Sequence, residues 1–504
     1  MSQYIGAIDQ GTTSTRFILF DKQGSIISTG QKEHDQICKK PGWVEHDPIQ
    51  IWENTKSVIS QALETANVTG EKLAAIGITN QRETVLVWDK TSGKPFFNAI
   101  VWQCTRTQNI CNELIKEGGM ERFKKQTGLP VATYFSGPKI KWLMDNIPEV
   151  KKAVDNGNAM FGTMDTWITW NLTGGIDNGV YVTDVTNASR TMLMNLETLE
   201  WDKEILSVFG IPEHTLPQIV SSCDDKAFGK TEKNTLFNAE IPISGVLGDQ
   251  QAALFGQTCF DQGEAKNTYG TGCFFLLNTG NKLLFSDHGL LTTIGFKIGN
   301  EKPCYAIEGS IAYAGALVQW IRDNLGLIKK ASDIEDLAKS VEDNGDVYCV
   351  PAFSGLFAPH WRSDARGIIA GLTQFANKGH IARAVIESTA FQTKDIVDAI
   401  KNDFKETVDL KHLKVDGGMV ANQLLMQFQA DILNVKVIVP KIVETTALGA
   451  AYAAGLAVGF WSDLNDLKKN WEIQSTFAPT KDKAWRENLY SGWQKAVKRT
   501  FNWT

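Results

Sequence analysis

Histidine is scarce in this chain of 504 residues: there are seven, with no His-x-x-x-His pair and no facial metal pattern. The eight cysteines (Cys38, Cys104, Cys111, Cys223, Cys259, Cys273, Cys304 and Cys349) lie far apart, with no Cys-x-x-Cys pair and no Cys/His cluster. That argues against a zinc site and a disulfide framework and for reduced thiols. An excess of positive charge is also missing. With 51 Lys plus Arg against 57 Asp plus Glu and a net charge of -6, the chain has no general attraction to nucleic acid or anionic lipid. No apolar run is long enough for a membrane span. The longest uncharged stretch, Thr445 to Ser462, is alanine-rich and interrupted by Gly449, Gly455 and Gly459, which predicts a buried helix and no membrane insertion. Met1-Ser2-Gln3 leads straight into an apolar strand without an h-region, so the expected location is the cytoplasm.

The common nucleotide-binding fingerprints are absent as well. Gly229-Lys230-Thr231 has Asp224 where a P-loop needs its first glycine, and Gly270-Thr271-Gly272 meets Phe275 where a Rossmann motif needs its last. No His-Arg-Asp catalytic loop exists.

What is present is an α/β pattern of short Val/Ile runs ending in Asp or Gly, alternating with helical segments. At about 150 residues per domain, the length allows about three domains or two large ones. Tyr4 to Asp9, the turn Gln10-Gly11-Thr12-Thr13-Ser14 and Thr15 to Asp21 predict a β-hairpin with a glycine- and hydroxyl-rich tip. About half the chain later the design recurs: Gly263 to Thr268, the tip Tyr269-Gly270-Thr271-Gly272, then the apolar strand Cys273 to Thr279. The repetition predicts a duplicated fold with a cleft between residues 1–256 and 257–504. The last forty residues, bearing Trp471, Trp485, Trp493 and Trp503, are expected to form helices over the second half.

Five segments suit chemistry. In the first tip, Gly11 allows close approach to an anion, Thr12, Thr13 and Ser14 offer hydroxyls, and Arg16 adds a forked cation. Asp9, at a strand end, suits Mg²⁺ held through water. An ordinary capped turn explains the same residues, but the matching tip at Thr271 raises the case for two loops gripping a triphosphate. The strand Val415-Asp416 runs into Gly417-Gly418 and then a helix beginning near Asn422, open to a nucleoside. The strand Ile243 to Gly248 delivers Asp249 and Gln250 at its carboxyl end, where ligands of α/β sheets sit. Asp249 is either a general base on a hydroxyl or the N-cap of the following helix. Arg82-Glu83, at the end of the strand from Ile76, offer a donor and an acceptor to adjacent hydroxyls, or form a solvated ion pair.

Tyr134-Phe135-Ser136-Gly137-Pro138-Lys139-Ile140-Lys141-Trp142-Leu143-Met144-Asp145-Asn146 and Gly367-Ile368-Ile369-Ala370-Gly371-Leu372, the latter followed by His380-Ile381 and Ala384 to Glu387, resemble the two signatures of the FGGY family of carbohydrate kinases. The resemblance runs from Asp9 to beyond Gly449. It implies two actin-like, ribonuclease H-like lobes with ATP in the interlobe cleft and Mg²⁺ near Asp9 and Asp249. It also implies glycerol as the acceptor, with Asp249 as base. The family's acceptor site maps onto Arg82, Glu83, Trp102, Tyr134, Asp249, Gln250 and Phe274. Its nucleotide side maps onto Thr12, Thr13, Ser14, Arg16, Thr271, Gly315, Gln319, Gly418 and Asn422. A homodimer is the expected assembly, with a tetramer next. Another polyol or ketose such as xylulose or gluconate, an ATP-driven actin-like scaffold, and a silent relative are the competing readings. Bacterial members that act on glycerol bind fructose 1,6-bisphosphate through a Gly-Gly and Arg loop, and some carry a phosphorylatable His. Here Ser221 to Asn234 has neither, so neither control is expected.

Overall fold

The computed structural model describes residues 3–233, 236–404 and 407–503; Met1, Ser2 and Asn234, at the ends of two stretches considered above, lie outside them. The first sheet runs in the order Ile243–Gly248, Leu73–Asn80, Tyr4–Gln10, Ser14–Phe20, Ile26–Glu33. The first three strands are mutually parallel, and the last two pair antiparallel as a meander from Tyr4–Gln10. The second sheet has seven strands, and its inner five repeat this plan. Cys304–Ile311, Cys273–Gly280 and Ala265–Tyr269 pair antiparallel, then His412–Asp416 and Lys436–Pro440 continue in parallel. The duplication inferred from the two tips is therefore a duplication of topology. Leu291–Phe296 and Ile473–Phe477 extend the second sheet at its two edges.

Ile243–Gly248 and Cys304–Ile311 are buried at every residue, so the polar Ser244, Glu308 and Ser310 are buried along with their apolar neighbours. The alanine-rich stretch forms the helix Thr445–Ala457, but it packs on the first sheet and on the helix Asp249–Gly256. Its Leu448, Ala451 and Tyr452 share one core with Ile5, Ala7, Ile18 and Phe20. Small residues are required there because backbones touch: a Cβ at Gly449 would lie 1.8 Å from the Ala252 carbonyl oxygen.

The C-terminal segment differs from expectation in two ways. It contributes a strand, Ile473–Phe477, whose pairing partner Lys436–Pro440 is distant in sequence. Its helix Leu464–Asn470 also buries Leu467 in the first half's core. Only the helix Lys483–Lys498 closes over the second half, stacking Trp493 on Phe391 at 5.3 Å. All eight cysteines are free thiols, seven of them buried. Among the described residues no helix is long and apolar enough to cross a membrane.

Candidate active site

The register of the first sheet assembles the site. Gln10 lies level with Asn80, and Asn80 with Gly248, so three parallel strands end together. Asp9, the segment Gln81 to Thr84, and Asp249 consequently share one carboxyl edge. Gly248 is fixed there by its N–H, which donates to Thr186 Oγ1 at 2.9 Å. Gly248, and not Asp249, occupies the N-cap position of the helix Asp249–Gly256. The capping alternative for Asp249 is thus corrected: it is the first helical residue, and its Oδ1 lies 3.3 Å from Arg82 Nε. Burial pushes the Asp249 carboxyl above its ordinary range, with Arg82 and then Lys266 opposing.

Arg82 and Glu83 are not a solvated pair, since both are almost wholly buried. Arg82 donates from Nη1 to Glu308 Oε2 at 2.6 Å and from Nη2 to Glu308 Oε1 at 3.0 Å. Arg190 donates from Nε to Glu83 Oε1 at 2.7 Å and from Nη2 to Glu308 Oε1 at 3.1 Å. Burial alone would raise the Glu308 carboxyl, but Arg190 and Arg82 hold it down at about 2. Glu83 has φ +61°, a left-handed backbone held by the Ser136 hydroxyl on its carbonyl at 3.0 Å. Beside this network the buried Lys266 donates to Gln250 Oε1 at 2.5 Å, Thr268 Oγ1 at 2.9 Å and the Phe274 carbonyl at 3.1 Å. Its three ammonium hydrogens are accounted for, although burial lowers its pKa to about 8.

Aromatic rings wall the charges. Trp102 stands edge-on to Tyr134 at 5.5 Å and to Phe274 at 6.4 Å, and the Arg82 guanidinium lies 5.9 Å from the Phe274 ring. Lys139, on the helix Ser136–Asn146, fixes the Tyr134 end by donating to the Tyr134 and Phe135 carbonyls. The Trp102 indole N–H donates to Thr12 Oγ1 at 3.0 Å, tying the apolar wall to the first hairpin tip. At that tip Arg16 Nη1 meets Glu444 Oε2 at 2.6 Å. Asp9 is pushed up to about 7 by burial, with Arg16 opposing and Glu444 and Asp249 adding to the rise.

The second tip is built from backbone. Gly270 N–H donates to the Gly272 carbonyl at 2.9 Å, and the N–H groups of Gly315 and Ala316, opening the helix Gly315–Asp323, donate to the Gly270 and Thr271 carbonyls. A Cβ at Gly272 would lie 2.2 Å from the Ile311 carbonyl oxygen. Gly417, at φ +89°, passes so close to Tyr269 that a Cβ would lie 2.5 Å from its carbonyl oxygen. Gly418 has open space where a Cβ would stand.

Residues 4–256 match the N-terminal domain of the FGGY family of carbohydrate kinases, and residues 265–458 match its C-terminal domain. The chain belongs to the FGGY family of carbohydrate kinases. It is 61% identical to the glycerol kinase of Clavibacter michiganensis over 501 residues, covering 99% of this chain and 98% of that protein. It is 60% identical to the glycerol kinase of Pseudarthrobacter chlorophenolicus over 503 residues, covering 100% and 99%. Among solved structures, that of Plasmodium falciparum glycerol kinase with ADP superposes with a TM-score of 0.91 at 43% identity, covering 99% of this chain and 98% of that one. This FGGY chain is therefore an enzyme, a kinase with the two-domain fold of its relatives, and its paired sheets agree with two actin-like lobes.

In this FGGY kinase the structure brings Arg82, Glu83, Asp249, Gln250 and Phe274 into one contact network, with Trp102 and Tyr134 against it. Thr12 joins through Trp102, and Asp9 and Arg16 lie beside it. Thr13 and Thr271 are exposed at their tips, whereas Ser14 is buried at the start of its strand. Gly315 touches the second tip, and Gln319 is exposed on the same helix. Asn422 caps the helix Gln423–Leu433, its side-chain oxygen taken by the Leu425 N–H at 2.9 Å. Sequence reasoning missed Glu308, Arg190, Lys266, Gln251 and Glu444. For Glu308 and Lys266 a signal existed: each is a lone charge inside a strand that otherwise reads as buried.

Proposed function

We propose that this FGGY kinase transfers the γ-phosphoryl group of ATP to a terminal hydroxyl of glycerol, giving sn-glycerol 3-phosphate and ADP. One observation carries the reading: a buried guanidinium presents its Nε to the Asp249 carboxylate within aromatic walls that are hydrogen-bonded to the first hairpin tip. Glycerol is small and polar, so selectivity must come from hydrogen bonds to each hydroxyl and from apolar contact with its carbon edge. Arg82 and Glu83 supply donor and acceptor, Gln250 a further polar group, and Trp102, Tyr134 and Phe274 the walls. The names carried by relatives of about 60% identity support the same acceptor.

In this reading the hydroxyl oxygen bonds to the γ-phosphorus as the bridge from phosphorus to ADP breaks. Asp249 takes the hydroxyl proton, a task for which a carboxyl raised by burial is suited. Thr12, Thr13, Ser14 and Arg16 hold phosphate oxygens from one side, and Thr271 does so from the other. Gly315, Gln319, Gly418 and Asn422 receive the nucleoside. Residues 1–256 then form the acceptor lobe and 257–504 the nucleotide lobe.

Asp9 and Asp249 suit Mg²⁺. Asp9 resists ionising chiefly because it is buried, with Arg16 opposing and Glu444 and Asp249 adding to the rise, so a cation bound between Asp9 and Asp249 would favour its charged form. Among the described residues no three or more His, Cys, Asp or Glu side chains form a metal cluster. Two carboxylates with water and phosphate are the ligand set magnesium commonly takes. Bound there, the ion would neutralise phosphate charge. The same reading carries a cytoplasmic homodimer, which sedimentation tests.

Coupled ADP release should be measured with glycerol, dihydroxyacetone, glyceraldehyde and xylulose as acceptors. Glycerol is expected to give the highest kcat/KM; a preference for xylulose would overturn the assignment.

A further inference from the structure

Glu308 belongs to the second half by sequence and to the first by contact. It sits on Cys304–Ile311, level with Leu276 and Leu291 on the flanking strands, and is wholly buried. Its carboxylate nevertheless reaches the first half, where it grips the end of the Arg82 fork and Arg190 Nη2, with the Ser310 hydroxyl also donating at 3.2 Å. Glu83, Arg190, Glu308 and Arg82 thus alternate in charge around a closed buried circuit, with Asp249 and Lys266 as the other charged groups facing it.

The donor count of Arg82 shows what this grip does. Nη1 spends its hydrogens on Glu308 and, at 3.3 Å, on Gln251 Oε1, and Nη2 spends one on Glu308. What remains is the edge formed by Nε–H and the second Nη2 hydrogen, and Nε is the atom beside Asp249. Were Glu308 absent, the guanidinium would be drawn toward Glu83 and Asp249, the other carboxylates close to it. A buried ion pair is weak evidence for stability alone. The two-pronged grip instead fixes a direction.

We propose that Glu308 is a positioning residue for the acceptor pocket: it turns the Nε–Nη2 edge of Arg82 toward the acceptor. Because it comes from the second sheet, it completes that pocket only when the second half is seated on the first. The inference rests on the reading of Arg82 and Asp249 as the glycerol site.

The test is steady-state ADP release by the full chain carrying Glu308→Gln, varying glycerol and ATP separately, with thermal unfolding recorded alongside. Glycerol KM is expected to rise about 100-fold, as for a reacting group displaced by about 1 Å, while ATP KM moves less than about 3-fold. Glu308→Asp keeps the charge but withdraws it by one methylene, and should raise glycerol KM about tenfold, between parent and Glu308→Gln. If a folded Glu308→Gln keeps glycerol KM within about 3-fold of the parent, or if both KM values rise together, the positioning role is overturned. Failure of both variants to fold would assign Glu308 to folding and overturn it too. A parent enzyme that released no ADP in response to glycerol would instead refute the acceptor assignment, so the two failures are distinguishable.

Discussion

Around the first hairpin tip the backbone is held by side chains. The Thr12 carbonyl accepts from His34 Nε2 and from Gln36 Nε2, each at 2.9 Å, and the Thr12 hydroxyl accepts from Trp102. At the second tip Gly270, Thr271 and Gly272 bond to each other and to the opening turn of a helix through main-chain groups, and a Cβ at Gly272 or Gly315 would strike a carbonyl. Both tips carry a main-chain bond across the turn, Gly11 N–H to the Ser14 carbonyl and Gly270 N–H to the Gly272 carbonyl, each at 2.9 Å, but among the described residues only the first adds side-chain donors to its backbone carbonyls. A tip held by side chains can be tuned one contact at a time and can respond to pH. A tip closed by packed backbone has no titratable group in its own turn bonds, and at Gly272 it tolerates almost no added atom.

In the proposed function, the sharpest division of labour is between chemistry at the first edge and nucleotide binding at the second. Asp249→Asn removes the proposed proton acceptor without changing shape and should lower kcat about 10³-fold, while nucleotide affinity by calorimetry stays within about 3-fold. A kcat within a few-fold of the parent would remove Asp249 from the reaction and with it the contrast. Gly272→Ala attacks the other side. Its methyl group meets the Ile311 carbonyl oxygen at 2.2 Å, so the tip must move, and overpacking of this kind costs about 1–3 kcal/mol. Nucleotide affinity should fall about tenfold or more, by the same free energy. Unchanged affinity would show that the second tip is as tolerant as the first.

The smallest change in the wall is Trp102→Phe, which keeps one aromatic ring there but deletes the N–H to Thr12 and part of the indole surface. A hydrogen bond of this type contributes about 1 kcal/mol, so kcat/KM for the acceptor should fall about fivefold. Nucleotide affinity should be unaffected. A fall of about 100-fold would mean that the bond positions the whole tip, since misplacement by about 1 Å has that effect.

The contrast also explains what could be read in the sequence. The strand-turn-strand form of both tips was legible because glycine and hydroxyl residues sit between apolar runs, and the placement of Asp249 and Arg82 at one sheet edge because each follows an apolar strand, while a capped turn, an N-cap or a solvated pair read equally well. Tyr134 and Trp102 entered through resemblance to the family and not through any local rule. Glu308 stood out only as a lone charge, and its role and that of Arg190 were hidden for a physical reason: their partners lie far apart in the chain, and only sheet register decides that Glu308 faces Arg82 and not solvent. The alanine-rich helix was legible as buried, but nothing in its composition tells which of two sheets receives it. Glu444, one residue ahead of that helix, reaches Arg16 only because the helix crosses to the first half.

Protons offer the subtlest test, because at the first tip the side chains that hold the Thr12 carbonyl and those beneath them include histidines. His46 lies beneath it, with Nε2 donating to Gln36 Oε1 at 2.9 Å and Nδ1 accepting from Gln81 Nε2 at 3.2 Å, and Gln36 in turn holds Thr12. Burial lowers the His46 pKa from 6.5 to about 3, and the neighbouring His34, whose own pKa is lowered chiefly by burial, adds to the effect. The unfolded chain therefore binds a proton that the folded one refuses. The stability contributed by neutral His46 is fully present above 6.5 and is lost as pH falls from there toward 3. Over that window His46 alone steepens the loss by up to about 1.4 kcal/mol per pH unit. His46→Gln, which has no proton to take up, should flatten the unfolding free energy against pH between about 6 and 4, measured by denaturant titration, and leave it unchanged above about 7. An equal slope in parent and variant would show that His46 gives the first tip no response to pH, and the contrast with the glycine-built tip would not extend to protons.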